Sequence, residues 1–277
     1  STRGQILFLT DTSAHGMSFI GAPFTFGFQK LGTNCGAVSP HCAVDISGII
    51  YWMSSDGFYM FDGTVRKMPC SVEDFVFDNI DTTQLEQVYA GSNSAFGEVI
   101  WFYCSTASNQ IDRYVIYNYQ EKLWYTGSLD RSTWIDSGTY PLPYATEYDG
   151  TDSLLYVHES GTDDDGSTMT AFIESGDFDV GDGDQMMFVK KGIQDFKDQV
   201  GNVNISLKSR YYPTDTQTTK GPFYLSTTTQ RFNPRTRGRQ VAVRIESNGY
   251  NGSSNDALSE NWRLGTLRFE VQPDGMR

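Results

Sequence analysis

Cysteine is scarce in this chain: Cys35, Cys42, Cys70 and Cys104 are the only four in 277 residues. That is too few to staple a fold of this length, so all four are expected as reduced core thiols. Cys35 and Cys42 flank His41, but with six residues between them and no second cysteine pair they match a zinc spacing poorly. Histidine is equally sparse; His15, His41 and His158 lie in different stretches, and none sits in a nucleophile context such as G-x-S-x-G. Glycine-rich phosphate loops are absent. The sequence therefore assigns no catalytic set, no metal and no cofactor, and the chain is expected not to be an enzyme. No run approaches the roughly 18 consecutive apolar residues of a membrane helix, and no basic-then-apolar segment opens the chain, so a soluble protein without a membrane partner is expected. The chain opens at Ser1 without an initiator methionine, which reads as a trimmed or processed product.

Long alanine- or leucine-rich stretches are also missing, whereas aromatics reach 14% and glycines number 27. This balance favours an all-β protein. The organising stretch is Ala43–Met68, which contains Ile49-Ile50-Tyr51-Trp52-Met53 and Phe58-Tyr59-Met60-Phe61, followed by Asp56-Gly57 and Asp62-Gly63 respectively. Aspartate and glycine tolerate the positive φ of tight hairpins, so the stretch reads as a β-meander whose next strand starts at Thr64. Trp52 and Phe58 are expected core residues. Before it, Gln5–Leu9 reads as a strand, a Ser/Gly turn region follows, and Phe24–Phe28 alternates so that three phenylalanines share a face. This is an incomplete blade or an entry hairpin. After it, Ser71 precedes Asp74 in a near capping-box arrangement, which predicts a short helix before Ile80.

A second module follows, with strands over Glu98–Tyr103, Arg113–Tyr119 and Lys122–Thr126. A fainter third combines Ala145–Tyr148, Ser153–His158 and Met169–Glu174. Tyr51, Trp101 and Tyr156 align with offsets of 50 and 55, a period that suits propeller blades. An ordinary antiparallel sandwich with similar hairpins is the alternative. Beyond Asp184, Met187–Ile193, Asn202–Tyr211, Gln240–Glu246 and Arg263–Val271 alternate with period two, giving a compact sandwich, with loops at Phe232–Arg239 and Tyr250–Asn255. The expected architecture is all-β: an acidic, propeller-like module of antiparallel repeats over residues 1–184, then a basic C-terminal β-sandwich over residues 185–277.

Charge supports that division. From Met186 onward there are 14 Lys/Arg and 8 Asp/Glu; the rest of the chain holds 7 and 26. Asp163-Asp164-Asp165-Gly166 and Asp177–Asp184 are oxygen-rich, but neither follows the 12-residue calcium-loop pattern, so solvated acidic loops are the better reading. The sharpest candidate site is the basic cluster Arg231, Arg235, Arg237 and Arg239. Guanidinium groups at this density pair with carboxylates or with nucleic-acid phosphate. Given the acidic excess upstream, they are read as a subunit interface between copies of the chain in preference to a DNA contact.

The closing run RGRQVAVRIESNGYNGSSNDALSENWRLGTLRFEVQPDGMR looks like the C-terminal end of virion proteins of tailed phages, with its arginine-led strand, SNG turn, WRLG strand and terminal PDG-x-R. The upstream IIYWMSSDGFYMFDGTVRKMPCSVEDFVFDNI is similar to propeller-like repeats in the tail hub, or nozzle, proteins of short-tailed phages, also called packaged-DNA stabilisation proteins. The resemblance implies a structural protein of the viral tail. It implies a homo-oligomer, a hexameric ring beside portal, adaptor and other tail proteins, through which double-stranded DNA is retained and passes at genome ejection. It implies no catalytic residue, and it places any completing propeller sequence upstream of Ser1. The alternative from another class is a carbohydrate-binding or glycan-degrading propeller of the tail, against which Ser54-Ser55-Asp56-Gly57-Phe58 lacks the S-x-D-x-G spacing of Asp-box repeats. A scaffold propeller of the WD or kelch kind lacks its signature residues.

Overall fold

Tight turns set the first sheets. Ser47 and Gly48 both take positive φ, 52° and 84°, in a two-residue loop, and the Gly48 N–H donates to Asp45 Oδ1 at 2.9 Å. Such a turn matches the twist of paired strands. The computed structural model describes residues 4–148, 151–163, 166, 169, 171–181, 183–247 and 260–275. It is nearly all β and divides into two compact units, 1–160 and 161–277.

Among the described residues the first unit contains four antiparallel sheets. Sheet one comprises β1 (Gln5–Leu9), β2 (Ser13–Phe19) and β3 (Phe26–Thr33). Sheet two comprises β4 (Ala43–Ile46), β5 (Ile49–Ser54), β6 (Gly57–Phe61) and β7 (Val65–Lys67), and is followed by the helix α1 (Glu73–Asn79). Sheet three comprises β8 (Tyr89–Asn93), β9 (Glu98–Tyr103), β10 (Arg113–Asn118) and β11 (Leu123–Ser128); sheet four comprises β12 (Thr133–Ile135), β13 (Tyr144–Tyr148) and β14 (Ser153–Val157).

Each sheet packs face to face on the next, which is the propeller-like feature. Leu7, Leu9 and Leu31 of sheet one share a core with Trp52 and Tyr59 of sheet two. In sheet three, Val99, Trp101 and Tyr103 face that same core, while Ile100 and Phe102 face the other way, onto Trp134 and Ala145 of sheet four. Three indoles stitch the stack. Trp52 Nε1 donates to Cys35 O at 2.8 Å, Trp101 Nε1 to Cys42 O at 3.0 Å and Trp134 Nε1 to Ser92 O at 2.8 Å. Each bond satisfies a buried donor while fixing one sheet against the segment that precedes it. Gly91 permits the last approach, because a Cβ there would lie 2.6 Å from the Trp134 ring.

The second unit comprises β15 (Phe172–Glu174), β16 (Met187–Ile193), β17 (Phe196–Val200), β18 (Val203–Arg210), β19 (Thr218–Leu225), β20 (Thr236–Gly238), β21 (Gln240–Ser247), β22 (Asn261–Leu264) and β23 (Arg268–Pro273). Sheets ordered β15-β21-β18-β19 and β20-β16-β23, with the pair β17-β22, enclose a core of Val203, Ile205, Leu207, Val243, Met187 and Phe232. This is the expected sandwich.

Several expectations need correction. The boundary lies between Ser160 and Gly161, not near Asp184, because β15 pairs with β21 and Phe178 bridges Val241. Eight carboxylates move with it, so the second unit carries 14 Lys/Arg and 16 Asp/Glu, and the first 7 and 18. The basic sandwich is therefore close to neutral. Glu174 holds Lys208 at 2.6 Å and Arg244 at 3.0 Å, and Asp177 pairs with Arg210. The third repeat takes β12 as its extra strand and loses Phe172–Glu174 to the sandwich, and Tyr156 sits on the last strand of its sheet rather than the second. The expected turn region after Leu9 is strand β2. Ser71 does not cap α1, whose N-cap is Val72 with no side-chain bond. The predicted strand Arg263–Val271 is two strands in different sheets. It breaks at Gly265, whose N–H donates to Asp195 O at 2.7 Å. Thr170, Asp164, Asp165, Asp182, the Tyr250–Asn255 loop, Met276 and Arg277 lie outside the described residues.

Candidate interaction surface and buried titratable groups

Alternation builds the arginine surface. Phe232, Pro234 and Thr236 point inward and are buried, so Arg231, Asn233, Arg235 and Arg237 point to solvent. The segment is anchored where Phe232 and Gly192 exchange backbone hydrogen bonds at 2.9 and 3.0 Å, and where β20 pairs with β16. The four predicted interface arginines then divide. Arg237 Nε meets Asp274 Oδ2 at 2.6 Å, and Arg237 also donates to Asp274 O at 3.1 Å. Arg239 donates to Gly183 O at 3.1 Å and lies 5.6 Å from the Tyr212 ring. Arg231 and Arg235 are exposed and form no ion pair among the described residues. Only these two retain their full valence for an external anion.

The three histidines have separate neighbours. His15 Nε2 is 2.9 Å from Ser13 Oγ, His41 lies beside Tyr89, and His158 accepts from Arg131 Nε at 2.9 Å. All four cysteines are free thiols, and Cys35, Cys42 and Cys104 are buried. Burial pushes Cys70 and Cys104 up to about 11. Among the described residues no three His, Cys, Asp or Glu side chains gather as metal ligands, and no helix is long and apolar enough to cross a membrane. In the second unit an open groove of about 600 Å³ is walled by Gln194, Asp195, Asp198, Gln199 and Gln230; its two carboxylates face Arg268 at 3.8 Å and Arg263 at 3.7 Å.

Glu98 is the group that the sequence did not reveal. It starts β9 opposite Asn93 of β8 and Asn118 of β10, and accepts a hydrogen bond from the Tyr125 hydroxyl. Asn93 in turn donates to Glu159 at 2.8 Å. Burial, with a smaller contribution from the nearby Glu159 charge, lifts the Glu98 carboxyl from an ordinary 4.5 to about 7. Since the raised value means that the folded state holds the proton more tightly, stability is lost as pH rises from about 4.5 to about 7 and is level above. Glu98→Gln is expected to remove that loss, gaining about 1–2 kcal/mol at pH 8 relative to pH 4.5, less than full linkage because the carboxyl is partly solvated. Urea midpoints of both proteins across this range check it; parallel curves would contradict it. Nothing local marks Glu98, since its environment comes from strands that are distant in sequence.

No protein-family model matches the chain, and no curated protein matches it. Among solved structures it is similar to a glycoside hydrolase, with 8% identity over 88% of this chain and 79% of that one, at a TM-score of 0.27. A likeness that loose carries no argument about activity.

Proposed function

We propose that the chain is a structural virion protein of a phage tail, assembling as a homo-oligomeric hub or nozzle ring through which the genome is retained and ejected. One observation carries the assembly: Arg231 and Arg235 stand exposed on the sandwich unit without an ion pair among the described residues, while the first unit carries 18 carboxylates against 7 Lys/Arg. Copies of one chain thus hold complementary charge, and guanidinium–carboxylate pairs fix register between them. The resemblance of the closing run and of the Ile49–Ile80 repeat to tail proteins supplies the virion setting, with portal and adaptor proteins as partners in a hexameric arrangement. The mechanism is mechanical and electrostatic. A passage walled by carboxylates repels phosphate and releases no counterions on contact, so duplex DNA slides without being gripped.

Mass photometry followed by negative-stain imaging tests the ring: annular particles with a central hole are expected. The double variant Arg231→Glu, Arg235→Glu is expected to reduce the assembled fraction at physiological salt. Arg237 is left in place, since its glutamate would break the Asp274 pair and blur the result. A single-chain mass for the wild-type protein would end this reading.

A further inference from the structure

Sheets one and four end the stack, and the outward face of each is apolar. In sheet one the strand register places Ile6, Phe8, Met17, Phe19, Phe26 and Phe28 on the side away from the core. Phe19 and Phe28 are each 71% exposed, and Phe8 and Phe28 have ring centroids 6.2 Å apart. In sheet four, Ile135, Tyr148, Leu155 and Val157 share the side opposite Trp134, Ala145 and Tyr156, and Leu155 is 66% exposed. A sheet with a solvated face alternates apolar with polar residues; β1 reads Ile6-Leu7-Phe8-Leu9 and β14 carries Leu154-Leu155-Tyr156-Val157, apolar toward both sides. Taking about 200 Å² for a fully exposed aromatic ring, the first face leaves roughly 500 Å² of apolar surface in water. That lies within the roughly 300–600 Å² of a monomer's largest apolar patch, which is often a functional one. A stable interface of roughly 800 Å² per partner needs about 450 Å² of non-polar area, which this face supplies.

We infer that the outer face of sheet one in one copy of the chain packs on the outer face of sheet four in the next, continuing between chains the sheet-on-sheet stacking found within one. Charge selects this head-to-tail pairing. The segment that builds sheet four, 129–160, holds six carboxylates and one arginine; Glu147 lies on the Trp134 side with Arg131 and the other five lie outside the three strands, so the acidic excess flanks the apolar face and disfavours pairing two copies of it, whereas the segment that builds sheet one, 4–33, holds only Asp11 and Lys30 and is neutral. His15 and Lys30 lie on its outer face and no carboxylate does. Pairing two different faces generates a ring when its rotation closes. The inference rests on the self-assembly proposed above, and names its apolar interface.

Phe28→Asp and Leu155→Asp alter exposed side chains at the two ends, and circular dichroism with thermal melting verifies that each variant folds; Phe28→Ser and Leu155→Ser are the milder pair should either fail. Each variant alone is expected at the single-chain mass of 31.1 kDa, at concentrations where the wild type is assembled. Mixed in equal amounts, they are expected to yield a species of twice that mass, because each retains one intact face. Variants that assemble like an assembling wild type overturn this interface and leave the proposed ring standing. Dissociation by Phe28→Asp alone overturns the head-to-tail form. A single-chain wild type overturns both readings and assigns the faces to another polypeptide.

Discussion

Replacing Trp101 with alanine is expected to cost the first unit about 3–5 kcal/mol, the range for deleting a fully buried large aromatic. Trp101 is 0% exposed, its ring lies 4.9 Å from Phe58 and 6.0 Å from Trp124, and its Nε1 donates to Cys42 O. The change therefore opens a cavity at the junction of sheets two and three and removes one of the two donors to the Cys42 carbonyl, which keeps only the Met53 N–H at 3.3 Å. Against a total stability of about 5–15 kcal/mol for a domain, that is a large fraction. Urea unfolding followed by near-ultraviolet circular dichroism should show the first unit's midpoint displaced strongly downward. Trp101→Phe, which keeps a ring but loses the bond, should fall between. A loss below about 1 kcal/mol would contradict the stitch.

The second large effect concerns Arg131, whose side chain is 6% exposed. It meets Glu147 at 2.6 Å, donates to His158 and to Asp130 O, and lies 4.0 Å over the Tyr156 ring. Truncating it to alanine leaves the Glu147 carboxylate, itself 18% exposed, facing no counter-charge. Removing one partner of a buried pair costs about 3–5 kcal/mol, whereas replacing both by apolar residues of similar size is often close to neutral. Arg131→Ala is thus expected to destabilise sheet four severely, and the double variant Arg131→Met, Glu147→Met to recover most of the loss. A double variant no better than Arg131→Ala would mean that the His158 and Tyr156 contacts outweigh the ion pair. Sheet four also carries half of the inferred interface, so this unfolding measurement indicates how firmly that face is held in one chain.

The arginine segment illustrates how far residue order reaches. Its Pro, Gly and Asn content reads as a loop, but Thr236–Gly238 pairs with β16 as the strand β20, and the engagement of Arg237 with Asp274 and of Arg239 with Gly183 depends on residues 37 and 56 positions away. Glu98 is invisible for the same reason: its desolvation comes from strands that no local pattern links.

Strand identity was legible from order alone where aromatic and β-branched runs meet turn residues, as in β5, β6, β9 and β10, and where period-two alternation is clean, as in β18 and β21, because strand formation and turn chemistry are local. From these came the all-β class and the succession of repeats before a sandwich. Tertiary structure decided sheet membership. Phe172–Glu174 reads from order as the end of a repeat, and only its pairing with β21 assigns it to the sandwich. It also decided which apolar faces are covered: Leu7 and Phe8 are equivalent in pattern, yet one enters a core and the other remains in water, since burial is set by what packs opposite a residue and not by its neighbours in the chain.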